Sequence, residues 1–440
     1  MASGGLFRSL RVRNFRLYAS GQAISLTGTW MQRVAQDWLV LDLSHNSGTA
    51  LGIVLALQFG PTLVFSMLGG ILADRYDKRR VLMVTQAAMA ALAVALGLLD
   101  LSGSAQLWHV YVLAGLMGVV SAIDVPVRQS FAVEMVGGDG LTNALSLNAA
   151  TFNSARIVGP ALAGVLITAV GTGWLFLANA VMTLGVITGL LLMRASELFR
   201  SPPVGRSPGQ LREGLRYVRG RPDLILPMLL IFVIGTFGLN FPVTLALMAR
   251  EEFGRGATEY GLLTTMVAVG SLAGALLSGR RTGPPRQRLL LISALGFGLI
   301  ETAVGLMPTY VLLAVALIPM GWITLTTTIA ANSTVQLSVE PTMRGRVMAL
   351  YLICFMGGTP LGGPLIGVAS DLFGPRAGLV GGGLVCAVAA VLLGLLFSRM
   401  RGLRLREQVG ALPHPHLAGH LHLHLRRADT DPEAEPARAA

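Results

Sequence analysis

Charge is scarce in this chain: Asp, Glu, Lys and Arg make up 13% of its 440 residues, roughly half the share of an ordinary soluble domain. Aromatic residues are few as well, at 6%, while hydrophobic residues reach 53%. A soluble fold of this composition would lack the polar side chains to clothe itself, so a polytopic membrane protein is indicated. The two cysteines, Cys354 and Cys386, both lie inside apolar runs, which excludes a disulfide framework and a cysteine zinc site. No phosphate-cradling loop ending in Lys-Ser or Lys-Thr occurs, so ATP-driven pumping by this chain is not expected. No catalytic arrangement emerges either; the chain does not read as an enzyme, and no cofactor or metal is expected. The N-terminus carries Arg8, Arg11 and Arg13 but no small-residue cleavage site behind a short apolar core. It reads as a cytosolic lead-in to a first span that acts as its own uncleaved signal.

What the chain has in abundance is apolar runs. Spans are expected at 15–43, 48–73, 81–101, 107–130, 141–169 and 173–194, then at 224–249, 258–279, 288–307, 309–336, 344–370 and 375–399. The length suits about twelve spans of ~20 residues joined by short loops. The formal charge of +12 raises nucleic acid as a partner, but the arginines recur between apolar runs and leave no compact basic patch. A topological account is simpler. The even connections hold Arg75, Lys78, Arg79, Arg80, the arginines from Arg200 to Arg221, Arg280 to Arg288, and Arg344 with Arg346. The odd connections at 44–47, 102–106 and 171–173 hold none; Arg250, Arg255 and Arg376 are the exceptions. Cations collect on the cytoplasmic side, so both termini are expected there, in the inner membrane.

One long connector splits the runs six and six. The expected organisation is a first six-helix bundle at 1–196, a cytosolic linker at 197–223, a second bundle at 224–400 and a disordered cytosolic tail at 401–440. In the linker Leu211, Leu215 and Val218 recur at helical spacing beside Arg212, Arg216 and Arg219, the pattern of a short helix lying on an anionic leaflet. The halves echo each other: Val133-Glu134 followed by Gly159-Pro160 is matched by Val339-Glu340 and Gly363-Pro364. Repeated halves with a site between them are a common plan of secondary transporters. In the tail, His414, His416, His420, His422 and His424 cluster irregularly among prolines, which favours disorder with incidental metal affinity.

The stretch Gly69-Gly-Ile-Leu-Ala-Asp-Arg-Tyr-Asp-Lys-Arg-Arg80 ends one apolar run and starts the next. Gly69 and Gly70 permit close approach, Asp74 sits at the boundary, and Arg75, Lys78, Arg79 and Arg80 hold the loop inside. A topogenic hairpin explains the cations but not Asp74, since a carboxylate at that depth needs a partner. The stretch resembles the loop signature between the second and third helices of the major facilitator superfamily. It departs from that signature at Asp77, where glycine is usual, and this questions the tight turn expected there.

Further ionisable groups sit within the runs. In the first, Gln22, Ser25, Thr29, Gln32 and Gln36 form one stripe, with Arg33 and Asp37 on its flank four residues apart. Such a pair either fixes packing or lines a cavity where its carboxylate takes a proton; a wholly polar face favours the cavity. Asp124 and Arg128 repeat the spacing in Ser121-Ala-Ile-Asp-Val-Pro-Val-Arg-Gln129. Arg156 has no acid within a turn of its own helix, so Asp124 or Asp37 is its expected partner. Gly159, Pro160 and Gly164 allow close approach and bending, either for packing or for gating; Gly363 and Pro364 are their counterparts. The hydroxyl-rich run Thr324, Thr326, Thr327 and Thr328, with Asn332 and Gln336, lines a cavity or bonds back to its own helix, the latter being the default. Glu301 is the sole carboxylate well inside the second half, and either faces headgroups or takes part in coupling.

Asp-Val-Pro-Val-Arg-Gln, the Asn-Ala-x-x-x-Asn of residues 143–148, Ala-Arg-Ile-Val-Gly-Pro-Ala-Leu-Ala-Gly and Arg344-Gly-Arg-Val347 together resemble one branch of the superfamily, the bacterial drug and siderophore exporters of enterobactin and macrolide type. The Gly159-Pro160…Gly164 element is similar to the fifth-helix motif associated with antiporters. The resemblance implies an all-α membrane protein of twelve transmembrane helices in two six-helix bundles. It also implies alternating access and export of amphipathic small molecules against protons. On that reading Asp37 or Asp124 carries the proton, opposed by Arg33, Arg128 or Arg156, with Gln32 and Gln36 in the cavity wall. Asp74 latches onto the start of the eleventh span near Met343 and Arg346, oriented by Arg75. The partners expected are a small-molecule substrate, protons and the bilayer, with no nucleic acid, and the chain is expected to act as a monomer. An importer or a lipid flippase of the same fold is the alternative; a membrane enzyme or a sensor without flux is disfavoured by the short, evenly spread loops.

Overall fold

The computed structural model describes residues 7–199, 210–279 and 287–410, and among them the regular structure is entirely helical. Lipid offers no partner for backbone N–H and C=O groups, so a helix that pairs them internally is the stable form of each long apolar run. After a short turn at Arg8–Arg11 come α1 (Arg13–Leu43), α2 (Gly48–Arg75) and α3 (Lys78–Leu101). Then follow α4 (Leu107–Gly138), α5 (Gly140–Val170) and α6 (Thr172–Leu191). The linker contributes α7 (Gln210–Arg219). The second set is α8 (Pro222–Glu252), α9 (Ala257–Gly279), α10 (Gln287–Gly305), α11 (Tyr310–Ser338), α12 (Arg344–Phe373) and α13 (Pro375–Gly410). Eleven helices among the described residues are long and apolar enough to cross a membrane. The twelfth, α1, is the charged one, carrying Arg13, Arg16, Arg33, Asp37 and Asp42.

Local sequence explains most boundaries. Ser47 caps α2 by accepting from Ala50 N, and Thr309 caps α11 by accepting from Leu312 N. Asp77 caps α3: its Oδ1 accepts from Arg80 N at 3.1 Å, with φ at −61°. The turn therefore never enters the left-handed region, and Asp in place of glycine supplies a cap at no conformational cost. The run expected to end at 130 continues as helix up to the kink at Gly137, because Phe131, Ala132, Met135 and Val136 are core residues at helical spacing. Gly137, with φ +66° and ψ −176°, then breaks α4 from α5, a conformation that favours glycine. In α8, Ile234–Gly238 and Met248–Glu252 are π-helical.

Phe15, Tyr18, Leu82, Phe131, Met135, Val186 and Leu190 form a core where α1, α3, α4 and α6 meet. Across the chain's midpoint, α2 packs on α12 and α5 on α9. Contacts join residues up to Leu393 into one compact unit; a second begins at Gly394, and its described part is helical to Gly410. The linker does hold a helix, with Val218 buried and Leu215 exposed. Glu213 Oε1 lies 2.6 Å from Arg346 Nη1, and Gly214 lets α7 approach the backbone of α12, so the helix docks on protein at this face. The side chain of Leu211, residues 200–209, the Arg280–Arg281 pair and the histidine cluster lie outside the described residues.

Candidate functional site

The contacts between the first six spans and the last six gather at the end of the odd connections. The short turn at 44–47 takes His45 and Asn46 through positive φ (52° and 67°) and delivers Ser47 to the start of α2. There Asp371, near the end of α12, caps a helix of the other half. Its carboxylate accepts from Gly48 N at 2.6 Å and Thr49 N at 2.9 Å, and from the hydroxyls of Thr49 at 2.6 Å and Ser47 at 3.1 Å. The first turn of α2 has no acid of its own, so Asp371 supplies the negative charge that a helix N-terminus favours. Asp371→Ala removes a helix cap, a loss of about 0.5–2 kcal/mol for an exposed group. It is expected to shift the chain toward separation of this end, read as a longer distance between spin labels at Ser104 and Pro308.

Below this cap the helices cross closely. A Cβ on Gly52 would collide with the Gly363 carbonyl, and one on Gly363 would lie 2.9 Å from the Gly52 carbonyl. Pro364 stands at the same crossing, with its Cα 2.7 Å from the Gly52 Cβ position. At the matching α5–α9 crossing, a Cβ on Gly164 would lie 2.8 Å from Ala257 O, and one on Gly261 would meet Pro160 O. Thr258 Oγ1 donates to Gly164 O at 3.0 Å, and Thr265 Oγ1 to Ile157 O at 3.2 Å. Gly159 serves another contact: a Cβ there would sit 2.5 Å from Trp30 Cβ on α1. The Gly159-Pro160…Gly164 element thus touches a helix of its own half on one side and of the other half on the next. Its counterpart Gly363-Pro364 meets α2 in the equivalent place.

The polar residues of α1 divide between two surroundings. Gln22, Ser25, Gln32 and Gln36 are buried, and Gln32 accepts from Asn179 of α6, so this row packs inside the first bundle. Thr29 bonds back to Ser25 O. The flank is what reaches the other half. Asp37 Oδ2 accepts from Tyr260 of α9 at 2.6 Å, Trp38 stacks on the same tyrosine, and Arg250 of α8 pairs with Asp42 while lying over Trp38. The expected contact between Arg33 and Asp37 is not made. Arg33 is exposed, with its guanidinium 4.6 Å from the Trp30 ring and 5.9 Å from Phe59, and Asp37 is engaged by Tyr260. Arg156 likewise pairs with no carboxylate among the described residues; its guanidinium stands 5.8 Å from Trp30. Two arginines held by one indole form a cationic, aromatic-floored patch beside Asp37, suited to an amphipathic ligand with an aromatic or anionic part.

Asp124 lies elsewhere. It is fully buried between α4 and α3, accepting from Thr85 Oγ1 at 2.7 Å and Gln86 Nε2 at 2.9 Å, with Arg128 Nη2 3.1 Å from its second oxygen. Those partners leave it unavailable to Arg156.

In the loop, Gly69 allows α2 onto α4: a Cβ there would lie 2.7 Å from Ala122 O and from Pro126 Cγ. Gly70 is buried and Asp74 half-buried, while Arg75 and Arg80 are exposed. Arg79 donates to Leu190 O and Leu191 O, closing the end of α6. Arg346, at the start of α12, is held by Glu213. Lys78, the single lysine of the chain, pairs with Glu134 at 2.6 Å, the two side chains only 12% and 8% exposed. Breaking one side of such a pair costs about 3–5 kcal/mol, whereas replacing both is far milder. Glu134→Ala is therefore expected to lower the melting temperature in detergent, and Lys78→Met with Glu134→Leu to recover most of the loss. Of the threonines of α11, Thr324, Thr327, Thr328 and Thr334 bond back to their own helix, while the buried hydroxyl of Thr326 has no partner among the described residues.

Sequence reasoning missed Asp371, Tyr260, the Asp42–Arg250 pair and the Lys78–Glu134 pair. Ser47-Gly-Thr at the start of α2 is a legible cap signal; an acid more than three hundred residues away that completes it has no local signature.

The family described as transmembrane secretion effector matches residues 5–427. Enterobactin exporters of Shigella boydii serotype 18 and of Shigella flexneri are each 26% identical, over 393 and 392 residues, spanning 89% of this chain and 93% of theirs. Among solved structures, a bacterial homologue of the human lysosomal transporter Spinster superposes with a TM-score of 0.68 at 17% identity, over 88% of this chain and 97% of that one. The POT family transporter PepTSo gives 0.69 at 13% identity, over 89% and 99%. Those likenesses show the fold, and with the match of sequence along nearly the whole chain they settle its kinship: this multi-pass membrane protein belongs to the transmembrane secretion effector family of major facilitator transporters.

Proposed function

We propose that this secondary transporter exports amphipathic small molecules in exchange for protons, with Asp37 as the proton carrier. The observation that carries this reading is the Asp37–Tyr260 bond, which ties an ionisable group within the span to the contact that joins the halves. With the termini in the cytoplasm of the inner membrane, the joined end is the outer one, and the present state receives substrate from inside. The two bundles at 1–196 and 224–400 rock so that the glycine crossings close and part, with 197–223 as their tether, and the chain works as a monomer.

Only ionised Asp37 accepts the tyrosine bond at full, charge-assisted strength. Substrate bound at Arg33, Arg156 and Trp30 competes for Asp37 and loosens the outer contact. Once the outer end parts, Asp37 loses Tyr260 and takes a proton from outside. Reclosure restores the bond to the carboxylate and sends the proton inward. Asp124, Arg128, Gln32 and Gln36 hold the first bundle rigid behind this switch, and Asp74 with Arg75 latches the inner end when it closes. The relatives that are enterobactin exporters support a siderophore-like or drug-like cargo.

The test is uptake into inverted membrane vesicles. A panel of catecholate siderophores and amphipathic drugs is expected to accumulate with a pH gradient, acid inside, and to stop when it is collapsed. Accumulation indifferent to the gradient, or uptake only in right-side-out vesicles, overturns the reading.

A further inference from the structure

Glu301 of α10 does not face headgroups. It is 1% exposed, and its Oε2 has no hydrogen-bond partner. Its surroundings are unusually bare. A Cβ on Gly238, in the π-helical segment of α8, would lie 3.0 Å from Oε2, and one on Gly382 of α13 would lie 3.6 Å from Oε1. The Phe297 ring, one turn earlier on α10, closes over Gly238 beside it. Two glycines and an aromatic ring make room for a carboxyl group and offer it no charge.

Among the described residues, Arg221, Arg250 and Arg376, on or beside the neighbouring helices, each pair with another carboxylate. On α13 the Cys386 thiol, an uncharged group, points toward Val233 O at 4.0 Å. Arg376 pairs with Glu252 and donates to Gly305 O. Arg250 of α8 is held by Asp42 and Asp223 by Arg221, while α11 carries no charged residue. An ionised, unpaired carboxylate in such a place is prohibitively costly. A hard cation is no remedy, because it takes about six or more oxygens and one carboxyl is present.

We infer that Glu301 is a proton-binding site of the second bundle, occupied in this conformation and sealed by the π-helical turn of α8. Interrupted helical turns of this kind often mark functional positions. The same helix carries, about three turns further on, Arg250 on Asp42 and Leu247 against Gly48. Movement of α8 on opening of the odd-connection end therefore changes what covers Glu301. This site is distinct from Asp37 and stands whether or not export is proton-driven.

The experiment is infrared spectroscopy of the full chain in liposomes, following the carbonyl stretch of protonated carboxylic acids at neutral pH. Wild type and Asp37→Asn are expected to show a band from a deeply buried acid, and Glu301→Gln to lack it. A wild-type spectrum without that band, or an unchanged band in Glu301→Gln, overturns the assignment. Glu301→Met provides the same comparison where the glutamine variant folds poorly. The readout needs no transport, so failure of the export reading leaves it intact.

Discussion

Gly52→Val is expected to leave the protein folded and to abolish net transport, with the odd-connection end held apart. The added side chain falls on the Gly363 carbonyl, at a crossing where the backbones of α2 and α12 touch. Neither backbone can yield locally, because Gly48 and Gly367 form a second such contact one turn away, with Asp371 beyond it. Relief comes from the two halves parting as bodies. Overpacking of this kind costs about 1–3 kcal/mol, and a conformational equilibrium separated by a few kcal/mol is displaced by about tenfold to a hundredfold. The strain exists in one state alone, which is why folding tolerates it. Spin labels at Ser104 and Pro308 should report the longer distance in most molecules without substrate. Thermal stability close to wild type, with a lengthened distance, is the expected pairing; a distance unchanged in the folded variant removes these crossings as the gate. Gly159→Val makes the informative contrast. It wedges α5 from α1 within one half, so it should lower stability without favouring the open end.

The fold was legible because lipid leaves few choices. Long apolar runs become helices, and the helix starts at Ser47, Asp77 and Thr309 follow from side chains that cap them. Where the expected boundary fell short, at residue 130, the helix runs on through core residues Phe131, Ala132, Met135 and Val136, with Glu134 held by Lys78 across the bundle. The candidate site was legible in its residues and not in its pairings. Spacing of four suggested Arg33 with Asp37, yet an indole stood one turn back and drew the guanidinium, while a tyrosine from the other half took the acid. The polar stripe of α1 was visible as one feature, but two adjacent helix faces share it. Gln22, Gln32 and Gln36 turn into their own bundle and Asp37 toward the other. Periodicity assigns residues to faces; which neighbour each face meets is set by contacts between distant parts of the chain, and these leave no trace in local sequence.

That division decides what the carboxylates of the first half should do when neutralised. Asp37→Asn is expected to abolish pH-driven accumulation, since an intramembrane carboxylate of this kind acts through its charge, while exchange of substrate without a gradient continues. The amide still fits beside Tyr260, so the contact between the halves is weakened rather than removed; what disappears is the group proposed to take and return the proton. Tyr260→Phe should be milder. It retains the stacking on Trp38 and the acid but removes the bond at 2.6 Å, so accumulation should fall partway and the spin-label distance should lengthen. In the double variant the tyrosine change should add little, because both act on one interaction. Asp124→Asn should separate cleanly from these. Its carboxylate is buried with Thr85, Gln86 and Arg128, and removing the charge strands an arginine, so the protein should lose stability while the molecules that fold still respond to the pH gradient. Gradient-driven uptake in inverted vesicles, normalised to folded protein, measures all four. Retained pH drive in Asp37→Asn, together with its loss in Asp124→Asn, would move the proton to the buried site between α3 and α4 and leave the Asp37–Tyr260 bond as a gate contact alone.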